Sequence, residues 1–202
     1  MITAFLHPLD LNNISGVEVG WVYLKLGFTH ILPLGLDHIL FVLGLFLLSN
    51  NIKQLLQQVT AFTLAHSITL GLAMYGVVSV PSYIIEPVIA LSIAFVAIEN
   101  MMTTKLKPWR IFVVFAFGLV HGMGFAGALK ELGLPQSQFL NAHITFNIGV
   151  ELGQLTVILC AFLACGLWFR RKEWYRKRIV IPASFIITLV AAYWTVERIF
   201  FN

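Results

Sequence analysis

Long apolar stretches separated by short polar links follow one another along most of the sequence. A membrane-spanning helix needs about 20 predominantly apolar residues, which leaves room for roughly six or seven spans. We place the spans at about 30–48, 57–78, 82–102, 109–129, 139–169 and 179–200, after an interfacial or outer segment at 1–29. The pattern predicts an all-α, polytopic transmembrane helix bundle that forms a single integral membrane domain over residues 1–202.

The first apolar stretch, from residue 17 to residue 49, is too long for one ordinary span. A short outer helix near 17–29, followed by a true span near 30–48, fits its length better. Pro33 and Gly35 mark the expected break, because proline lacks the N–H that a continuous helix requires and sharp kinks arise at such residues.

Three polar side chains surround this break. His30 and Asp37 are seven residues apart, which would place them on the same face if the helix ran on. Pro33 should free the backbone carbonyl of Thr29 to act as a ligand or a hydrogen-bond acceptor. Asp37 and His38 supply a carboxylate and an imidazole at one depth, although the carboxylate could instead hold one histidine in a single tautomer.

Composition and charge support the membrane assignment. Hydrophobic residues make up 59% of the chain and charged residues 11%, whereas soluble domains carry about 25% charged residues. This composition excludes an ordinary soluble enzyme and a disordered chain. The net charge of +4 does not indicate a nucleic-acid partner, because the basic residues lie in short links between apolar segments. The expected surroundings are the lipid bilayer.

The positions of the basic residues predict the orientation of the chain. Cytoplasmic loops of membrane proteins are enriched in lysine and arginine. Such residues follow the first span, separate the third from the fourth, and cluster between the fifth and sixth: Lys53, Lys105, Lys107, Arg110 and the segment 170–178. Both termini are therefore predicted to lie outside. The link at 79–81 is so short that the second and third spans should form an antiparallel hairpin.

The fifth span carries a stripe of polar side chains. His143, Asn147, Glu151 and Gln154 follow one another at spacings of four, four and three residues, which places them on one helix face. An interhelical hydrogen-bond ladder is one interpretation, since polar contacts between membrane helices are common. We prefer a functional site, because an imidazole, two amides and a carboxylate on one face of a bundle helix are hard to explain by packing.

Ionisable groups inside a bilayer are costly unless they are paired, hydrated or bound to a metal ion, so each is a functional candidate. Five of the six histidines fall in or at predicted spans. The candidate metal-binding residues are His30, Asp37, His38, His66, His121, His143 and Glu151, and the supporting polar residues are Glu86, Glu99, Asn147 and Gln154. Imidazole and carboxylate together suit a divalent transition metal such as nickel, cobalt or zinc.

Five sequence blocks in order resemble the HupE/UreJ family of bacterial membrane proteins: GFTHILPLGLDHILFVLGL, AFTLAHSITL, IEPVIALSIAFVAIEN, FGLVHGMGFAG and FNIGVELGQ. The resemblance implies a nickel or cobalt permease of the bacterial inner (cytoplasmic) membrane, in a family associated with hydrogenase, urease and cobalamin metabolism. The metal-handling residues that it implies are His30, Asp37, His38, His121 and Glu151. Described permeases carry His-Gly-x-x-x-Glu in one helix, whereas this chain has Ala126 at the glutamate position.

The preferred function is that of a permease for a divalent metal ion, nickel or cobalt, with a pocket that opens to the outside and reaches the membrane midplane. His30, Asp37 and His143 would capture the ion from outside. The ion would then pass to a midplane site whose members are His38, His66, His121 and Glu151. The inner half of the membrane offers few polar groups, chiefly Glu99 and Asn100.

The alternative function is that of an intramembrane zinc-dependent hydrolase acting on a lipid or a peptide. Three of the histidines would hold zinc and leave a fourth position open for water, which the metal would activate. Asp37 or Glu151 would act as the general base, with Ser67 as a further catalytic candidate. The sequence leaves the oligomeric state and the energy source of transport open.

Overall fold

The computed structural model describes residues 15–49, 51–131 and 138–201, and for residues 126 and 128–131 it describes the backbone alone. Within these ranges the regular elements are α1 (Gly16–Ile31), α2 (Leu36–Leu48), α3 (Ile52–Met74), α4 (Ser82–Met102), α5 (Arg110–Glu131), α6 (Phe139–Ala161), α7 (Leu167–Phe169) and α8 (Ile181–Phe200). Two π-helical turns, Phe162–Gly166 and Arg176–Val180, connect α6 to α7 and lead into α8. The all-α prediction is confirmed for this part of the chain.

Local signals in the sequence explain where the first helices begin. Ser15 caps α1: its hydroxyl accepts a hydrogen bond from the Glu18 N–H at 3.3 Å, and the Glu18 carboxylate accepts one from the Ser15 N–H at 2.9 Å. This reciprocal pair is a capping box. Asn51 caps α3 in a simpler way, because its side-chain oxygen accepts a hydrogen bond from the Lys53 N–H.

The predicted break at Pro33 and Gly35 is confirmed. α1 ends at Ile31, α2 begins at Leu36, and the two helices are bent by 68°. The helix therefore does not run on, so the condition under which His30 and Asp37 would share one helix face is not met. Of the two roles expected for the Thr29 carbonyl, the structure has that of a hydrogen-bond acceptor, because it accepts from the Leu34 N–H at 3.3 Å.

Three pairs of helices pack around the short helix α2. α1 packs along α6, α3 along α5 and α4 along α8, while α2 contacts at least one helix of each pair. Most of α2 from Phe41 to Leu48 is buried, as expected for a helix at the centre of a bundle. The predicted hairpin of the second and third spans is wrong as a packed pair, because α3 and α4 each pack mainly on another helix over the described residues.

Glycines allow two of these helix pairs to approach closely. A Cβ added at Gly27 of α1 would collide with the Phe146 carbonyl of α6, and one at Gly149 of α6 would collide with the Leu24 carbonyl of α1. On α5, a Cβ at Gly122 would collide with the His66 carbonyl of α3. Small residues of this kind let membrane helices pack backbone against backbone.

Gly122→Ala is expected to push α5 away from α3 and to destabilise the protein. Inserting a methyl group into a packed interface typically costs about 1–3 kcal/mol. Gly127→Ala on the same helix is the matched control, because a Cβ there meets no described atom within 4 Å. Thermal unfolding in detergent should show a lower midpoint for Gly122→Ala alone, and equal midpoints for the two variants would contradict the packing.

By length and composition, three helical stretches of the described chain are able to cross a membrane: Ser82–Met102, Phe139–Phe169 and Arg176–Phe200. The bent pair of α1 and α2 would add a fourth span. The chain is thus a helical membrane protein with three or four candidate spans. The count of six or seven spans and the outside location of both termini stay predictions.

Candidate metal centre

Three histidines from three helices meet inside the bundle. His30 lies in the last turn of α1, His38 near the start of α2 and His66 in the second half of α3. Their candidate ligand nitrogens all lie within 4.8 Å of one another. Each ring has a buried Nε2 atom to which no other described group is hydrogen-bonded. Since buried polar atoms are nearly always bonded, three such nitrogens in one place fit a metal ion.

His121 of α5 adds a fourth imidazole. Its ring centroid lies 5.1 Å from that of His38, and its Nε2 is likewise buried with no partner among the described residues. Its Nδ1 lies 2.8 Å from the Phe117 carbonyl, which can only accept, so Nδ1 carries the proton. The Nε2 lone pair is therefore available to a metal. We call His30, His38, His66 and His121 the histidine cluster.

Asn147 of α6 fixes the orientation of His66. Its amide group donates a hydrogen bond to the His143 carbonyl at 2.8 Å, which turns the side-chain oxygen toward His66. That oxygen accepts a hydrogen bond from His66 Nδ1–H at 3.3 Å. Histidines that bind metals usually donate their other N–H in this way, and the partner sets the tautomer and the ring orientation.

Asn147→Ala is therefore expected to weaken metal binding without removing a ligand. Loss of the hydrogen-bond partner of a ligating histidine typically costs 10- to 100-fold in affinity. Asn147→Asp keeps an acceptor oxygen beside His66 and should retain most of the affinity. Thr156→Ala on α6, where the hydroxyl bonds only its own helix, is the control. Equilibrium dialysis with nickel or cobalt measures the difference, and equal affinities of Asn147→Ala and wild type would contradict this role.

Aromatic rings enclose the histidine cluster along the bundle. Phe125, one turn after His121 on α5, lies with its ring centroid 3.9 Å from that of His30. On the opposite side, the rings of Phe41 and Phe62 lie 5.4 and 4.9 Å from that of His121. The cluster therefore lies between apolar layers, where interactions between an ion and its ligands are stronger than in water.

The polar stripe of α6 pairs with a polar face of α3. His143, at the N-terminal end of this stripe, shares a 2.9 Å hydrogen bond with the Ser67 hydroxyl and stacks on Phe139 with 5.6 Å between ring centroids. Its nitrogens are not part of the group that His30, His38 and His66 form. The structure thus places His143 and Ser67 beside the histidine cluster and in contact with each other.

Glu151 continues the same pairing toward the other end of the bundle. Its carboxylate accepts hydrogen bonds from the hydroxyls of Thr60, at 2.7 Å, and of Thr63. The Thr63 hydroxyl also lies 3.1 Å from the side-chain oxygen of Gln154. The geometry is that of the interhelical ladder that the sequence allowed as the second interpretation, and Glu151 is bonded within this ladder.

Asp37 is paired with a residue that the sequence analysis missed. Arg198, near the end of α8, lies 3.0 and 3.1 Å from the two carboxylate oxygens of Asp37. The same guanidinium donates to the backbone carbonyl of Glu86 at 3.1 Å. This bridge joins the starts of α2 and α4 to the end of α8. In the sequence, this pairing is indicated only by the presence of an arginine in the last turn of an apolar helix.

The structure therefore brings together four of the seven predicted metal-binding residues, namely the histidine cluster. It places the other three, Asp37, His143 and Glu151, in bonds to neighbouring side chains. The hydrolase alternative gains no support, because its candidates Asp37, Glu151 and Ser67 are separated in this arrangement and each is bonded elsewhere. Glu99 lies at the opposite end of α4 from Glu86 and pairs with Arg110 at 3.3 Å.

The profile of one protein family, described as HupE / UreJ protein, matches residues 11–198. The chain belongs to the HupE / UreJ family. Membership confirms the resemblance carried by the histidine-containing blocks, and it extends that resemblance over nearly the whole chain. The HupE / UreJ family is associated with nickel and cobalt transport across membranes, and the histidine cluster is compatible with a metal ion. No curated protein and no solved structure matches the chain.

Proposed function

We propose that this protein is a permease of the bacterial inner membrane for a divalent nickel or cobalt ion. One observation carries the proposal: His30, His38 and His66, from three helices, each offer a ring nitrogen within 4.8 Å of the others, and each has a buried Nε2 with no hydrogen bond to the described residues. Imidazole is a suitable ligand for divalent nickel and cobalt, and the cluster contains no thiolate that would favour copper(I). The ion is the substrate of the protein.

The spacing of the three nitrogens fits an ion that is held and released. Ligand nitrogens about 2.0–2.1 Å from a tetrahedral metal lie roughly 3.4 Å from one another. The present nitrogens lie up to 4.8 Å apart, so the most widely separated pair has to approach by about 1 Å for the rings to close around an ion. His121 is the fourth ligand in this proposal.

In this proposal, the polar side chains outside the histidine cluster lie along the path by which the metal ion enters and leaves. His143, with its hydroxyl partner Ser67, lies on the side from which we predict the ion enters. Asp37 supplies negative charge at the same end, balanced by Arg198. Glu151 lies beside Thr63, one turn of α3 before His66, and so follows the cluster on the way inward.

Elemental analysis combined with uptake tests the proposal. The purified protein in detergent should take up one nickel or cobalt ion per chain and lose it to brief chelator dialysis, because a transport site must release its ion. Proteoliposomes should accumulate the same ion, and empty liposomes should not. Zinc that survives the dialysis, together with absent uptake of nickel and cobalt, would overturn the permease and indicate resident zinc.

A further inference from the structure

A buried ion pair lies at the end of the bundle opposite to Asp37 and Arg198. Glu99, near the end of α4, and Arg110, the first residue of α5, approach to 3.3 Å, and their side chains are 9% and 2% exposed. Both carboxylate oxygens and two guanidinium nitrogens, Nε and Nη1, are buried without a hydrogen bond to the described protein. At these atoms the two side chains attract each other by charge alone. The same atoms remain able to form hydrogen bonds.

Asn100 provides further polar atoms beside this pair. Its amide group donates to the Gly44 carbonyl of α2 at 2.8 Å, and its oxygen accepts from Arg110 Nη2 at 3.4 Å. The Ser184 hydroxyl of α8 lies 3.4 Å from the same amide nitrogen. Two oxygens of α4, the Glu99 carboxylate and the Asn100 amide oxygen, therefore lie beside the Arg110 guanidinium. The Gly44 carbonyl of α2 and the Ser184 hydroxyl of α8 lie beside the Asn100 amide nitrogen. Carboxylate, amide and carbonyl oxygens are ligands of divalent cations.

The pair lies further along the axis of the bundle than the histidine cluster. Gly44 is six residues after His38 on α2, which is about 9 Å along the helix, and Arg110 is eleven residues before His121 on α5, which is about 16 Å. Both steps lead away from the end that carries Asp37. An ion that leaves the cluster toward the predicted inside reaches Glu99 next.

An aromatic layer separates the two sites. Phe41, Phe62 and Phe117 each lie about one helical turn from a member of the cluster, on the side that faces Glu99. Their rings contact one another, with 4.9 Å between the centroids of Phe41 and Phe62 and 6.0 Å between those of Phe41 and Phe117. An ion that crosses this layer gives up its imidazole ligands, so a charged acceptor beyond the layer lowers the cost of the step.

We propose that Glu99 is a second cation-binding station, and that the Arg110 guanidinium occupies the position taken by a divalent metal ion that has left the histidine cluster. The inference rests on the permease function proposed above. Arginine keeps its charge at all physiological pH values, so it serves as a built-in cation that neutralises Glu99 while no metal is there. When the metal ion arrives, it replaces the Arg110 guanidinium as the cation beside the Glu99 carboxylate. The Asn100 side-chain oxygen is available to the guanidinium or to the metal ion.

The number of metal ions bound per chain tests this station. Chelator-treated protein in detergent is dialysed against nickel or cobalt salt and analysed for metal. Wild type should bind one ion, at the histidine cluster. Arg110→Gln removes the built-in cation and should bind two, whereas the double variant Glu99→Gln with Arg110→Gln should return to one. Arg176→Gln is the matched control, because Arg176 lies at the same end but donates to the Met101 carbonyl, whereas Glu99 pairs with Arg110. It should bind one ion.

One ion in Arg110→Gln, when wild type also binds one, would overturn the station. Wild type that binds none would instead refute the histidine site, and Arg110→Gln that then binds one ion would still support Glu99. If Arg110→Gln does not fold, Glu99→Gln decides by uptake in proteoliposomes: binding at the cluster should persist while transport is lost. Uptake by Glu99→Gln at the wild-type rate would overturn the inference.

Discussion

Replacing His38 or His66 with alanine is expected to abolish nickel and cobalt uptake. Each of these rings supplies one of the three convergent nitrogens, so either substitution leaves only two of that group of three in place. Loss of a ligand should exceed the 10- to 100-fold loss of affinity that removal of a ligand's hydrogen-bond partner typically causes. Equilibrium dialysis in detergent measures the binding, and uptake of the ion into proteoliposomes measures the transport.

His143→Ala is the matched control for these variants. It also removes an imidazole from the bundle, but His143 bonds Ser67 and lies outside the group of three. Binding to the detergent-solubilised protein should stay within a few-fold of wild type, with any loss confined to uptake from dilute metal. Tight nickel binding by His38→Ala or His66→Ala would remove the cluster as the site, provided that both variants elute as folded protein in size-exclusion chromatography.

Glu151→Ala should eliminate uptake while leaving most of the binding intact. The carboxylate is bonded to Thr60 and Thr63, away from the cluster, so its removal takes away no ligand. It does remove the negative charge that follows the cluster toward the predicted inside, and an ion in an apolar bundle depends on such charge. The measurement is the ratio of transport to binding, taken for the variant and for wild type.

Glu151→Gln separates charge from hydrogen bonding. The amide oxygen can still accept from a threonine hydroxyl, so a purely structural ladder would tolerate this change. We expect uptake to fall in Glu151→Gln nearly as far as in Glu151→Ala, with Thr156→Ala unaffected. Wild-type uptake by Glu151→Gln would show that the residue only joins α3 to α6.

The positions of the helices were predictable because the length of an apolar stretch and the positions of helix-breaking residues are visible in a short segment of the sequence. The span predicted at 82–102 coincides with Ser82–Met102, and the break at Pro33 and Gly35 is where α1 ends. Helix partners were not predictable in the same way. α3 packs on α5 and α4 on α8 through glycines and polar faces that one sequence does not assign to each other.

The candidate site was predictable as a set of residue types and less so as a geometry. His30, His38, His66 and His121 were recognised because ionisable side chains in apolar helices are expensive. Asp37 and Glu151 were grouped with them by the same rule, since the sequence does not show that Arg198 and the threonines of α3 bind their carboxylates. The sequence places Arg110 among the basic residues of the links between spans. Its burial against Glu99 depends on how α4 and α5 pack, which the sequence does not show.

Because α1 and α2 are bent by 68°, movement of one helix relative to the other would change the geometry of the proposed metal site. α1 carries His30 but packs mainly along α6, whereas His38 belongs to the central helix α2. His30 and His38, which are eight residues apart, therefore lie on two separate helices joined by the four-residue link 32–35. A small slide of the α1 and α6 pair past α2 would lengthen one coordination bond and leave the others unchanged. In the proposed permease, such a slide would lower the affinity of the site for its ion.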